Sequence, residues 1–311
     1  MASTRVIFFV LPHVHLLDLA GPDQVFHEAI DCGAEIVVEY CSLVTEPTTS
    51  SHLRFGEMQS FEKVKVEKGD YLFVPGAEVD FLISPSFPKF TALKKWMLEA
   101  YANGANICSV CTGAFLLARV GLLDGKPTTT HWKRTKQLKA LYPEIQLVEN
   151  QLFTESEQVF TSAGVTAGID MSLFILSKIR DDYFSFKVAR ELVVYMRRQG
   201  SDVQQTVYTD FRNHIHAGIH QVQDFIQENI HKKNSLDKLA AVANMSPRNI
   251  TRVFKKETGI TMNDYVTLVR KELLHKLSAN PDITRKQMAK MCGLKSERQV
   301  IRLMQHGLAW E

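Results

Sequence analysis

The sequence predicts a doubly wound α/β domain followed by an all-α domain with two helix-turn-helix units. Three observations carry that prediction. Strand-length apolar runs alternate with helical patterns over the first two thirds of the chain, which argues a parallel sheet covered on both faces. From Asn213 onward no segment reads as a strand, and helical patterns follow one another across short turns. The charge divides at the same place: residues 213–311 hold 16 of the 37 Lys and Arg and 9 of the 34 Asp and Glu, a net charge of +7, while residues 1–212 carry −4.

Taken in order, residues 5–11, 35–42, 70–74 and Asn106–Val110 read as buried strands. The third runs into Pro75-Gly76 and the fourth into Cys111-Thr112-Gly113, and Val159–Ser162 supplies one more strand. Apolar residues at three and four spacings mark helices at residues 93–101, 114–120 and 169–179, and one strong helix is expected over residues 186–198. The polar, Gly-containing stretch that follows has no periodicity. The predicted organisation is an α/β domain over 1–198, a linker over 199–212 and a helical domain over 213–311. Helices are expected there at 214–229, 236–243, Pro247–Thr258, 263–278, 285–292 and 297–306.

Composition narrows the class of protein. A chain of 311 residues with 45% hydrophobic and 23% charged residues is neither disordered nor collagenous. The early apolar stretch at 6–11 is too short to span a bilayer, and neither a basic leader region nor a small-residue cleavage site frames it, so a cytoplasmic protein is expected. Five cysteines, Cys32, Cys41, Cys108, Cys111 and Cys292, do not suggest a disulfide framework. Cys108 and Cys111 form a Cys-x-x-Cys, but three extended residues span roughly 10 Å, more than a disulfide bridges. No metal site and no cofactor are expected.

In the helical domain, Leu236, Leu239, Ala240 and Ala243 share one face. After a short turn Ser246 is placed to cap a second helix that has Pro247 at its first position. Ile250, Val253 and Phe254 point inward, and Gly259 closes the helix. Arg248, Asn249, Thr251, Arg252, Lys255 and Lys256 then point outward. Arg and Asn suit base edges and Lys suits phosphates, so this face is a candidate DNA interface, with an inert helical bundle of basic surface as the alternative. The layout recurs with Met288, Ala289 and Cys292 inward, Gly293-Leu294 at the turn, and Lys295, Arg298 and Arg302 outward from a helix capped by Ser296. Two such units could enter successive major grooves about 34 Å apart.

In the α/β domain, Cys111 sits between a strand and a helix. Such a turn holds a side chain above the sheet in a strained elbow, and the helix N-terminus favours a thiolate. The alternative is a small buried hydrophobe. Asp18 lies just past the first strand, as a ligand-facing carboxylate or a helix N-cap. His131 is a candidate base or ligand contact, or a satisfied structural histidine. Gly76 and Gly164 mark close backbone approaches at other strand ends, where helix-start amides could meet a carboxylate or amide oxygen.

At Leu239-Ala240, Met245-Ser246-Pro247-Arg248, Phe254-Lys255, Glu257-Thr258-Gly259 and Met288-Ala289 through Cys292-Gly293-Leu294, the chain resembles the double helix-turn-helix domain of AraC/XylS-family transcription regulators. At Asp18-Leu-Ala-Gly-Pro, Val74-Pro-Gly, Val110-Cys-Thr-Gly-Ala-Phe, Gly121-Leu-Leu-Asp-Gly, Thr130-His-Trp and Thr161-Ser-Ala-Gly-Val-Thr-Ala-Gly-Ile-Asp it resembles the PfpI/amidase-like domain of the glutamine-amidotransferase-like superfamily. GlxA-type regulators join these two domains in this order. The resemblance implies that Cys111 matches the elbow nucleophile, and that Asp18 and Thr112 match the isocyanide hydratase branch. PfpI-type proteases have His directly after the Cys, so Thr112 argues against a protease dyad.

The expected function is therefore a transcription regulator. Its partners would be a double-stranded DNA operator and a small, nitrogen-containing effector bound around Asp18, Gly76, Cys111, Thr112, His131 and Gly164, with a homodimer as the expected assembly. The alternative is a cysteine-dependent hydratase or amidase in which Cys111 attacks an electrophilic carbon and Asp18 manages protons, the DNA-binding module being accessory.

Overall fold

The computed structural model describes residues 3–194, 198–202, 204, 206–278, 280 and 282–305. The chain divides into two compact units, Met1–Gln204 and Gln205–Glu311. Strands of the first unit are β1 (Thr4–Val10), β2 (Ile36–Ser42), β3 (Gln59–Ser60), β4 (Tyr71–Val74), β5 (Asn106–Val110), β6 (Pro127–Thr128), β7 (Gln146–Leu147), β8 (Phe153–Ser156) and β9 (Val159–Ser162). Its helices are α1 (Leu16–Asp31), α2 (Val79–Ile83), α3 (Phe90–Ala102), α4 (Gly113–Val120), α5 (Thr135–Leu141), α6 (Thr166–Ile179) and α7 (Asp182–Glu191).

The main sheet runs β3-β2-β1-β4-β5-β9-β8. Its strands are parallel apart from β8, which turns back antiparallel on β9. The period-2 rule is visible along β1: Val6, Phe8 and Val10 enter one core, and Ile7 and Phe9, with Leu11 just beyond, enter the other. Helices α1, α6 and α7 pack together on the first face, while α2, α3 and α4 cover the second. The doubly wound α/β class is therefore present. An all-parallel sheet is not, because residues 153–156 (Phe-Thr-Glu-Ser) lack an apolar run and escape a hydrophobicity reading.

Strand order reverses between β1 and β4. That is where a doubly wound sheet opens a crevice at the carboxyl ends of its strands. Four chain segments leave the sheet there: after β1 toward α1, after β4, after β5 toward α4, and after β9 toward α6.

Two expectations are corrected. The helix expected over 186–198 ends at Glu191. The Val194 N–H donates to the Ala189 carbonyl and the Val193 N–H to the Arg190 carbonyl, a helix stop in which Val193 takes the left-handed position at φ 57°. Of the remainder of that helix, residues 195–197 lie outside the described residues, and Arg198 pairs with the buried Asp170 instead. The expected linker is likewise fastened at both ends. The Gly200 carbonyl accepts from Leu152 N–H and Phe153 N–H, whereas Val207 is fully buried in the second unit.

The second unit contains α8 (Val207–Asp210), α9 (Ala217–Glu228), α10 (Leu236–Val242), α11 (Pro247–Thr258), α12 (Met262–Ser278), α13 (Arg285–Met291) and α14 (Glu297–Gln305). His306, expected at the end of the last helix, lies outside the described residues. One core gathers Ile250, Val253, Phe254, Tyr265 and Val269, and a smaller one gathers Leu274, Met288, Ala289, Cys292 and Val300, so α12 supplies both. Leu236, expected inward, opens α10 and stays 42% exposed.

Candidate functional site

The crevice at the switch point is a pocket of about 390 Å³ lined by His15, Asp18, Ser50, Cys111, Thr112, His131, Lys133, Arg134, Val165 and the side chains of Leu16 and Leu17. Its floor is built at the turn from β5 to α4. Cys111 holds φ at 56°, a conformation that strains a non-glycine residue by about 1–3 kcal/mol and persists only where the surroundings impose it. They impose it from three sides. The Cys111 N–H donates to the Ser162 carbonyl at 2.9 Å, the Thr130 hydroxyl donates to the Cys111 carbonyl at 2.8 Å, and the Thr112 hydroxyl donates to the Ala77 carbonyl at 2.6 Å. Ala77 N–H returns a bond to the same hydroxyl, so Thr112 fastens the elbow to the segment after β4.

Asp18 is 1% exposed and lies in the first turn of α1. The Val165 N–H donates to its Oδ1 at 2.6 Å, and His15 Nδ1 lies 3.2 Å from its Oδ2. The N-cap alternative for Asp18 is thereby corrected, since His15 occupies that position. The helix-start amide expected to meet a ligand oxygen meets the Asp18 carboxylate. Gly164 at φ +90° and Val165 at φ 50° turn that amide inward.

Gly76 and Gly164 lie behind the pocket wall. A Cβ on Gly76 would stand 2.5 Å from Asp18 Oδ2, and one on Gly164 would stand 2.2 Å from Cys111 Cβ. Both positions are steric requirements of the floor, a different role from the ligand contacts expected of them.

The electrostatics reverse one expectation. Burial, then the charge and hydrogen bond of Asp18, push the Cys111 thiol well above its ordinary value, outweighing the bonds from Thr112 that favour the thiolate. The helix N-terminus therefore does not yield a ready thiolate. His131 is held below its ordinary value, first by burial, so it is neutral near pH 7. Its Nδ1 accepts from the Lys133 N–H and its ring stacks on Trp132. Among the described residues no hydrogen bond joins His131 to Cys111, and the histidine beside Cys111 and Asp18 is His15.

His15, Ser50, Lys133 and Arg134 were missed by sequence reasoning, though the three-residue step from His15 to Asp18 was a usable signal. So was Gln204 missed. Its side chain accepts from Trp132 N–H at 2.9 Å and donates to the Thr129 hydroxyl and to the Thr130 and Gln151 carbonyls. That clasp holds the loop bearing His131, Lys133 and Arg134 at the last residue of the first unit.

In the second unit Ser246 caps α11 through the Asn249 N–H, with Pro247 at the first helical position. Arg248, Thr251, Arg252, Lys255 and Lys256 are exposed and Asn249 is half-buried. The Thr251 hydroxyl is committed to the Pro247 carbonyl, and Arg252 leans on Asn249 Oδ1 at 3.1 Å, which pre-positions the guanidinium. Lys295, Arg298 and Arg302 are exposed on and before α14. A capping box between Thr284 and Gln287 starts α13.

The profile of the DJ-1/PfpI family matches residues 4–178, and that of bacterial regulatory helix-turn-helix proteins of the AraC family matches residues 226–267. The pairing is the one that the resemblance to GlxA-type regulators implies. The chain is similar to the HTH-type transcriptional regulator GbdR of Pseudomonas aeruginosa, 27% identical over 201 residues, covering 64% of this chain and 54% of that one. It thus spans little more than half the length of that relative. It is also similar to the isonitrile hydratase of Pseudomonas putida, 30% identical over 177 residues, covering 57% of this chain and 72% of that one. Among solved structures, Drosophila melanogaster DJ-1beta shares the fold with a TM-score of 0.53 at 18% identity, over 62% of this chain and 98% of that one.

Proposed function

The chain belongs to the DJ-1/PfpI family, and from that premise we propose that it is a transcription regulator whose AraC-type domain reads double-stranded DNA and whose α/β domain senses a small nitrogen-containing metabolite. The observation that carries the reading is the presence, in one chain, of a pocketed DJ-1/PfpI domain and an AraC-type helix-turn-helix domain. On this reading α11 is the recognition helix. Arg248, Asn249 and Arg252 meet base edges, Lys255 and Lys256 meet phosphates, and Thr251 supplies its methyl group. Lys295, Arg298 and Arg302 place α14 in a second groove, a role that rests on the repeated layout, because α13 and α14 lie beyond the matched residues. Two copies on paired half-sites would complete the complex in the cytoplasm.

The effector's chemistry follows from the charge across the pocket. A buried carboxylate, Asp18, forms the floor, while Lys133 and Arg134 stand at the exposed rim. A small zwitterion fits, its cationic nitrogen toward Asp18 and its carboxylate toward Lys133 and Arg134. Binding would shift the loop that Gln204 clasps, and a ligand biases DNA binding only as far as it prefers one arrangement of that loop. A thermal-shift screen of the full chain against amino acids, betaines, amides and polyamines tests this. A ligand at a hundred times its Kd should add about 2.7 kcal/mol of stability, and loss of that gain in Asp18→Asn would tie it to the pocket.

Similarity to an isonitrile hydratase favours a second reading, in which Cys111 is a nucleophile and Asp18 its proton carrier. It requires the thiol to ionise once substrate displaces water. Turnover of a bound ligand by the wild type and its absence in Cys111→Ala would establish it.

A further inference from the structure

Three donor atoms of different chemistry converge on the pocket floor. A ring nitrogen of His15, a carboxylate oxygen of Asp18 and Cys111 Sγ all lie within 4.8 Å of one another, and His15 Nδ1 stands 3.2 Å from Asp18 Oδ2. His15 and Asp18 come from the start of α1, and Cys111 comes from the turn between β5 and α4. The His15 N–H donates to the Gly76 carbonyl at 2.8 Å, the second oxygen of Asp18 is held by Val165, and the Cys111 backbone is bonded to Ser162 and Thr130. The His15 side chain is 37% exposed and the two others are buried, so the cluster has an open side.

We propose that this floor binds one thiophilic divalent cation of the zinc class, ligated by His15 Nδ1, Asp18 Oδ2 and Cys111 Sγ, with a fourth position open to the pocket. The donor set argues for that class of ion, since imidazole and thiolate select zinc-like ions over magnesium or calcium. The geometry is close to what the ion needs. Tetrahedral bonds of about 2.0–2.3 Å place ligand atoms roughly 3.3–3.8 Å apart, and the His15 and Asp18 atoms already stand at 3.2 Å. A contraction of at most about an ångström on the Cys111 side completes the set. Three protein ligands and one open position is the arrangement that lets a bound ion take a further ligand. On binding, the Cys111 thiol gives its proton to solvent, His15 supplies a ring lone pair, and Asp18 supplies a carboxylate oxygen, so ion binding releases protons. The ion's positive charge then offsets the repulsion between the Cys111 thiolate it creates and the Asp18 carboxylate. The ion would take the Asp18 carboxylate toward which the proposed effector's cationic nitrogen points, so ion and effector compete for the floor.

The test is an anaerobic titration of the reduced full chain with Cd²⁺ or Co²⁺ alone. Absorbance from thiolate-to-metal charge transfer is followed together with proton release in a weakly buffered solution. The wild type should gain one equivalent of the band and release protons as the ion binds. Cys111→Ser, nearly isosteric, should lose the band while Cys32, Cys41, Cys108 and Cys292 remain. His15→Ala, at a partly exposed side chain, should keep the band at about tenfold weaker affinity or worse. Absence of the band in the wild type at stoichiometric metal overturns the proposal, as does full amplitude in Cys111→Ser. Should Cys111→Ser not fold, unchanged affinity in His15→Ala overturns it alone. Effector stabilisation of the metal-free wild type reports separately on the sensor reading.

Discussion

At the scale of single residues, the floor of the pocket is a set of compromises around Cys111. The elbow was legible in the sequence because a strand running into Cys-Thr-Gly leaves few alternatives. The protonation state was not legible, because it depends on Asp18, which approaches from 93 residues away in the chain. With the folded thiol well above its free value of 9.0, the folded state favours the protonated form. The stability this confers is complete below that free value and is lost as pH rises beyond it toward the folded value. Alkylation of Cys111 by iodoacetamide should therefore be slow near pH 7. Asp18→Asn should accelerate it by removing the second cause of the shift, and mass spectrometry of the labelled peptide reads both rates; equal rates in the two proteins would contradict the assignment. Gly164 is the sharper case sterically. Gly164→Ala places a Cβ in a left-handed residue and within 2.2 Å of Cys111 Cβ, which should cost about 3 kcal/mol or more in denaturant unfolding.

At the scale of elements, helices and strands with clean periodicity were readable, and those decided by tertiary contact were not. The stretch from Leu16 to Asp31, not among the expected helices, forms α1 with Gly21-Pro22 inside it. A Cβ on Gly21 would meet the Ile169 side chain at 3.0 Å, and one on Gly168 would meet Pro22 at 3.3 Å. Small residues thus let α1 and α6 pack closely enough to outweigh the proline. At α7 a strong helical pattern stops at Glu191, and Arg198 pairs with Asp170. Burial pushes the Asp170 carboxyl up and Arg198 draws it back. Val193, 86% exposed and at φ 57°, bears the strain of that stop. Val193→Gly should stabilise the fold by up to about 1 kcal/mol, measured as a raised denaturant midpoint with an unchanged slope.

At the scale of the whole molecule, the domain pairing was legible from motifs, while the Gln204 clasp was not. Gln204 sits in a polar stretch without periodicity, and only the fold shows its side chain clasping the loop that carries His131, Lys133 and Arg134. If that clasp transmits effector binding, Gln204→Ala should keep effector stabilisation and DNA affinity near wild type while removing most of the effector's influence on that affinity. Isothermal titration and fluorescence anisotropy on the same samples separate the three quantities.

The central claim is that α11 reads DNA sequence, and selection from a random duplex pool tests it most directly. The full chain should enrich a defined sequence, and Arg252→Ala should bind the enriched duplex about 5- to 150-fold more weakly, the equivalent of about 1–3 kcal/mol for one lost base contact. Its affinity for non-specific DNA should fall far less. Enrichment of no sequence, or equal affinity of wild type and Arg252→Ala for the enriched one, would contradict the claim.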